Sequence, residues 1–243
     1  MTSRKHARSA LLAIFAVTTL TVGWVLYQRE GEPRYLNASR AEFVGLFASP
    51  PSPDSPQTRA ELDVLLAIQR NRTAKDVDAA RADRKTEISQ FAGALGLTPA
   101  QVRSLPALDA LAEQVEDDIR PYVRTAKHRF TRLRPYEVDS RLEPCIGNVR
   151  DDLSYPSGHA TFGFVVAYLL ADMVPERRRE LIDRATEFAR QRAVCGVHFP
   201  SDIEAGNKAA VWLAQHFLAS EAYRKAVVPA RNELRAAMRL PAR

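Results

Sequence analysis

Ala160 to Leu170 is a run of eleven residues with no charged side chain, directly after Tyr155-Pro156-Ser157-Gly158-His159. It is too short to cross a bilayer, which takes about twenty apolar residues, so it is read as a core helix over 158–173, closed by Pro175. Any fold of this chain must wrap that helix. The residues before it suit a helix start: Pro presets φ near the helical value and Ser is a favoured cap. Gly158 lets a ligand approach the backbone without a side chain in the way. A helix start offers unpaired N–H groups and the positive end of a dipole, which suits an anion such as phosphate. His159, beside that position, can carry a proton near neutral or mildly acidic pH.

The rest of the chain supplies helices to surround the run. Leu62, Leu65, Leu66 and Ile68 form an apolar stripe from Thr58 onward. A second helix is expected over Ala74–Leu95, stopping near Gly96, and Thr98-Pro99-Ala100-Gln101 reads as a cap followed by a new start. Further helices are expected over about 108–133, 176–195, 201–218 and 221–238. No stretch reads as a strand. The expectation is an all-α, single compact helical domain over residues 58–243.

Ahead of that domain, Arg4, Lys5 and Arg8 precede Ala10–Tyr27, eighteen residues without a charge. This is the pattern of a signal peptide or signal anchor over 1–27. No Ala-x-Ala cleavage site follows, and the apolar core at about 1.5 Å per residue covers roughly 27 Å, close to a bilayer core, which leans the reading towards an anchor. Either outcome puts the bulk of the chain outside the cytoplasm, periplasmic or secreted, with anchoring to the inner membrane through residues 10–27 as one form. Residues 28–57 read as an extended arm, because Pro50, Pro51, Pro53 and Pro56 cannot all sit inside a helix.

A mean hydropathy of −0.27 excludes a polytopic membrane protein. The net charge of +6 raises the question of nucleic acid. The cations are interleaved with acids, as in Arg81-Ala82-Asp83-Arg84-Lys85-Thr86-Glu87, and no basic–aromatic platform exists, so no nucleic-acid partner is expected. Cys145 and Cys195 are the two cysteines. An even count in an oxidising compartment favours a bridge over two buried free thiols, and a bridge would pin the loop after Arg134-Pro135 to the segment between Arg192 and His198.

Three clusters carry chemistry. Lys127 and Arg134 are seven residues apart, about two helical turns, which predicts two cations on one helix face. Pro156-Ser157-Gly158-His159 is the anion-binding start. Arg192, His198 and Asp202 form the third, with Asp202 in the first turn of a helix where it can bond one ring nitrogen of His198 and leave the other free. Each has a bland alternative as solvated face, ion pair or core histidine; together they supply two histidines, three cations and an orienting acid.

Lys127-x6-Arg134-Pro135, Pro156-Ser157-Gly158-His159 and Arg192-x5-His198-x3-Asp202 resemble the three-part signature of the phosphatidic acid phosphatase type 2 superfamily, which includes vanadium haloperoxidases. Within it the chain is most similar to bacterial class A non-specific acid phosphatases. One departure is Gln191, where that family usually has Ser. The resemblance implies a metal-independent acid phosphatase that hydrolyses phosphate monoesters through a phosphohistidine. His198 would be the nucleophile, Asp202 its orienting acid, and His159 the general acid and base. Lys127, Arg134, Ser157, Gly158 and Arg192 would bind the phosphate, with no cofactor and no metal. The implied partners are small phosphomonoesters and inorganic phosphate, with a homo-oligomer suggested by the family. The alternatives are a membrane-surface lipid phosphatase using the same site and, less favoured, a vanadium-dependent haloperoxidase.

Overall fold

The computed structural model describes residues 33–147 and 153–242. In chain order the helices are α1 (Arg40–Gly45), α2 (Pro56–Asn71), α3 (Ala74–Ala82), α4 (Ala92–Leu95), α5 (Pro99–Arg103), α6 (Pro106–Phe130), α7 (Pro135–Val138), α8 (Gly158–Met173), α9 (Arg178–Val194), α10 (Pro200–Ala219) and α11 (Glu221–Ala237). Short 3-10 turns cover Ile88–Phe91 and Pro175–Arg177. Among the described residues the only β feature is an isolated bridge between Leu133 and Leu153. The fold is all-helical, and none of the described helices is long and apolar enough to cross a membrane. The expected signal or anchor segment, including residues 10–27, lies outside the described residues.

The apolar run forms α8, and twelve of its sixteen residues are buried, as a helix without a polar face requires. α9 and α10 pack along it, while α6 pairs with α11 and α1 on the other side of the core. Gly206 sets the α8–α10 separation. A Cβ there would lie 2.8 Å from both the Ala160 Cβ and the Ser157 carbonyl oxygen, so a larger residue would force the helices apart. The same contact carries a main-chain bond from Ser157 N to the Asp202 carbonyl at 3.0 Å. The start of α8 and the first turn of α10 are thus tied backbone to backbone.

Three expectations about the elements are corrected. The arm over 28–57 is only partly extended: Arg40–Gly45 is helical, and Tyr35, Leu36 and Phe43 are buried in the main core. The buried carboxylate of Asp118 on α6 holds this segment, accepting from the amides of Arg34, Tyr35 and Leu36 at 2.8, 2.6 and 3.2 Å. Three amides that would otherwise be orphaned are satisfied by one acid, which hydropathy does not register. The helix expected over Ala74–Leu95 is broken after Ala82, because the Asp83 side chain turns inward to a fork of bonds from Arg184 at 2.5 and 2.9 Å. Its far end, near Gly96, is where it was expected. α6 ends at Phe130 with Thr131 in the left-handed region (φ 49°), so Lys127 and Arg134 do not share a helix face.

Cys145 and Cys195 are bridged, with Cα atoms 4.7 Å apart. Arg72 reinforces the join by donating to the Val194 and Glu143 carbonyls, both at 2.9 Å. The loop after α7 is therefore anchored to the end of α9, beside the residues that complete the third sequence cluster.

Gly206→Ala should lower unfolding stability by about 1–3 kcal/mol through overpacking at the α8–α10 contact. Gly45→Ala, where an added Cβ meets nothing within 4 Å, should leave the urea midpoint unchanged or slightly raised. Equal midpoint shifts in the two variants would refute this account of the contact.

Candidate active site

A cavity of about 1030 Å³ opens between α6, the start of α8 and the end of α9. Lys127, Arg134, Gly158, His159, Arg192 and His198 line it. The exposed cations Arg84, Arg120 and Arg124 line its mouth together with Glu116, and Ile119, Val123 and Phe162 add buried apolar lining.

The floor cations are aimed by main-chain carbonyls. Lys127 Nζ donates to the Leu153 carbonyl. Arg134 Nη1 donates to the Val197 carbonyl at 2.8 Å. Arg192 Nη2 donates to the Ala80 and Asp83 carbonyls, both at 3.1 Å, at the C-terminal end of α3. A cation is favoured there by the helix dipole as well as by the bonds. Its Nε is buried with no hydrogen-bond partner, a donor left to a ligand. Burial chiefly, with Arg134 adding to it against the pull of Asp83, lowers Arg192 to about 10, still a cation at neutral pH.

His198 stands between an acid and a base. Nε2 lies 2.8 Å from Arg134 Nη1, and a guanidinium can only donate, so Nε2 is the unprotonated nitrogen. Nδ1 then carries the proton and faces Asp202 Oδ2 at 3.3 Å. Oδ2 also accepts from Ser154 Oγ at 2.5 Å and from Phe199 N at 2.8 Å, while Oδ1 accepts from Arg132 at 2.6 Å. Burial alone would raise the Asp202 carboxyl, but its bonds to His198 and Ser154 and the charge of Arg132 hold it below the usual carboxylate value. His198, 4% exposed, is driven down to about 3 by burial first and by Arg134 next, against the opposing pull of Asp202. It is a neutral imidazole with its Nε2 lone pair on the cavity side.

His159 occupies the first turn of α8 with its ring stacked on Phe188, centroids 4.1 Å apart and planes at 16°. Phe188 reaches that position because residue 163 is Gly; a Cβ there would fall 2.6 Å from the Phe188 ring. One ring nitrogen bonds the Asp83 carbonyl, and Nε2 is buried with no partner. Burial, then Arg192 and His198, push this imidazole well below its ordinary 6.5. Two buried nitrogens without partners, on Arg192 and His159, thus border a cavity whose floor is cationic. The cations and the free Arg192 Nε–H form a donor set that fits a tetrahedral oxyanion, phosphate or vanadate alike, and His159 Nε2 joins it only when protonated.

Six of the eight expected site residues line the cavity. Asp202 stands behind His198, fully buried. Ser157 does not form part of the wall: it is buried, and its Oγ caps α8 by accepting from Ala160 N at 3.3 Å. Lys127 and Arg134 converge through the turn at Thr131 rather than along one helix. Gln191, the departure from the family pattern, bonds Glu187 on its own helix and is not part of the cavity wall. Sequence reading missed Arg132, Ser154, Glu61 and Phe188. None carries a spacing signal, since their side-chain partners lie 44 to 140 residues away or, for Phe188, across a helix contact.

Residues 118–225 match the PAP2 superfamily, and that segment contains all eight expected site residues. The chain is a distant homologue of bacterial non-specific acid phosphatases. It is 33% identical over 123 residues to an acid phosphatase of Zymomonas mobilis, covering 49% of this chain and 46% of that protein. It is 34% identical over 113 residues to a non-specific acid phosphatase of Salmonella typhimurium, covering 45% of each. The chain therefore spans about half the length of the curated relatives it matches. Among solved structures it is similar to a bacterial vanadium-dependent iodoperoxidase, with a TM-score of 0.58 at 17% identity over 75% of this chain and 53% of that one. At that identity the likeness speaks for the fold alone.

The two depressed histidines make stability depend on pH. Between the ordinary value near 6.5 and their lower folded values, the unfolded chain binds protons that the folded chain does not, so stability falls as pH falls through that window. Each contributes a slope of up to about 1.4 kcal/mol per pH unit. Urea unfolding between pH 7 and 5 should show the decline, and His198→Gln should make it shallower; an unchanged slope in that variant would contradict the assignment.

Proposed function

We propose that the protein is an acid phosphatase that hydrolyses phosphate monoesters, without a bound metal, through a covalent phosphohistidine on His198. The observation that carries this reading is the state of the His198 ring: Nδ1–H is directed at a buried carboxylate and the Nε2 lone pair at a cavity floored by Lys127, Arg134 and Arg192. The matches to acid phosphatases support it.

The ester phosphate takes the place on the cavity floor where the three cations and the orphan Arg192 Nε converge. Arg134 then exchanges its bond to Nε2 for a phosphate oxygen, which releases the lone pair. Nε2 attacks phosphorus as the P–O bond to the alcohol breaks, and His159 gives its proton to the leaving oxygen. In the second half His159 takes a proton from water, the water oxygen bonds phosphorus, the N–P bond breaks, and phosphate and free His198 are regenerated. Asp202 stabilises the positive charge that appears on the His198 ring. Positioned cations supply most of what phosphoryl transfer requires of a protein. Arg84, Arg120 and Arg124 at the mouth raise the local concentration of anions.

His159 must be protonated for the first half, whereas burial and the cations around it favour the neutral ring. A phosphate dianion beside it acts in the opposite direction, so the acid is charged by the substrate it serves. Activity is highest at acid pH on this account and declines as His159 loses its proton. The disulfide supports a working domain outside the cytoplasm, which on this reading is periplasmic or secreted.

Turnover of p-nitrophenyl phosphate from pH 4 to 9 tests the reading. EDTA-resistant, vanadate-inhibited hydrolysis peaking below pH 7 is expected; a rate still rising above pH 8 would overturn the role of His159. His198→Ala should lose turnover by about 10³-fold or more while phosphate or vanadate still binds. Near-normal turnover by that variant would place the nucleophile elsewhere.

A further inference from the structure

We propose that Arg132, clamped by Glu61, is a positioning residue of this site: the pair fixes the Asp202 carboxylate against Nδ1 of His198 and so aims the nucleophile. The proposal rests on the reading of His198 as nucleophile and extends it to two residues outside the cavity wall.

Arg132 is buried just beyond the C-terminus of α6 and touches no part of the cavity. Its guanidinium is held on three sides. Nη1 donates to Asp202 Oδ1 at 2.6 Å and to Ser201 Oγ at 2.7 Å. Nη2 donates to Glu61 Oε2 at 2.9 Å. The guanidinium carbon lies 3.9 Å from the centre of the Phe199 ring. Glu61 is itself pinned, accepting from Ser201 N at 2.6 Å and from Ser201 Oγ at 2.9 Å. The fork geometry of Arg lets one side chain bridge both carboxylates, which a Lys cannot do with the same planarity.

The carboxylate of Asp202 needs such a hold. Oδ2 is shared among three donors, and the contact to His198 Nδ1, at 3.3 Å, is the longest of them. With Oδ1 free, the carboxylate could rotate towards Ser154 and Phe199 N and leave the imidazole. Arg132 on Oδ1 fixes the plane. Burial of Asp202 also demands a compensating cation, because removing one partner of a buried pair leaves an uncompensated charge. Glu61 tempers that cation and orients it. The groups that face Asp202 are His198 and Phe199 N from the segment opening α10, Ser154 and the Tyr155 phenol from the loop before α8, and Arg132 from beyond α6. Glu61 from α2 stands one bond further out, and α2 lies outside the family-matched residues 118–225.

A buried ion pair of purely structural value would make the same contacts, so the test must read the Asp202–His198 unit itself. In the full chain, Arg132→Ala should cut kcat for p-nitrophenyl phosphate roughly 100-fold with KM and phosphate inhibition within about threefold of wild type. Without the cation the Asp202 carboxyl rises, so the acid limb of the rate profile should move to higher pH. Glu61→Gln removes the opposing anion, so it should move that limb to lower pH and cut kcat less than Arg132→Ala does. Arg132→Lys, which keeps the charge, should hold the limb near its original place and recover part of kcat. An acid limb that does not move, or that moves the same way in Arg132→Ala and Glu61→Gln, would overturn the proposal and leave a structural pair. If Arg132→Ala does not fold, Glu61→Gln decides: its limb should move to lower pH, and an unmoved limb there would overturn the proposal. If the wild type hydrolyses no phosphomonoester, the phosphatase reading falls, and the low-field His198 Nδ1 proton resonance tests the pair without turnover. It should shift upfield in Arg132→Ala or Arg132→Lys; an unmoved resonance would overturn the proposal.

Discussion

Lys127, Arg134 and Arg192 sit together at the floor of one cavity, and like charges brought that close repel. The repulsion is visible in Arg192, drawn down to about 10 by burial and by Arg134 beside it. The surrounding structure can be understood as what holds this cluster in place. Each cation donates to a main-chain carbonyl: Leu153, Val197, and the Ala80 and Asp83 pair. Carbonyls orient a cation without cancelling it, so the field in the cavity survives for a ligand of opposite charge.

Those carbonyls come from segments far apart in the chain, which explains the prominence of the ties between segments. The Cys145–Cys195 bridge, Arg72 on Val194 and Glu143, and the Ser157 N to Asp202 bond all join stretches that contribute to the cavity. The break after α3 serves the same end. Had the helix continued past Ala82, as its sequence pattern suggests, the Asp83 carbonyl would bond within the helix; instead it takes Arg192 and His159. A local loss of helical bonds yields two oriented side chains.

The two histidines share surroundings that favour their neutral forms, but they are held in different ways. His198 is fixed by charged groups at both nitrogens, Arg134 on one side and Asp202 on the other. His159 is held by stacking on Phe188 and one carbonyl bond, with its second nitrogen unpartnered. On the proposed reading, different second partners give two identical side chains different capacities, one as a lone-pair donor and the other as a proton carrier responsive to a nearby anion.

The amino-acid sequence by itself determined the helical class, the central buried helix, the caps at Ser157 and Thr98, and six of the residues that line the cavity. These follow from local causes: an uncharged run cannot face water, and cap and proline chemistry acts within a turn. The tertiary structure decided what depends on partners distant in the chain. It broke the helix at Asp83, folded the residues around Tyr35 and Phe43 into the core over Asp118, and turned the backbone at Thr131 so that Arg134 reaches the cavity from beyond α6. It also removed Ser157 from the cavity wall and supplied Arg132, Glu61 and Ser154 behind Asp202. The physical reason is the same throughout: a buried charge takes whichever partner three-dimensional packing brings within 3 Å, and no periodicity along the chain records that choice.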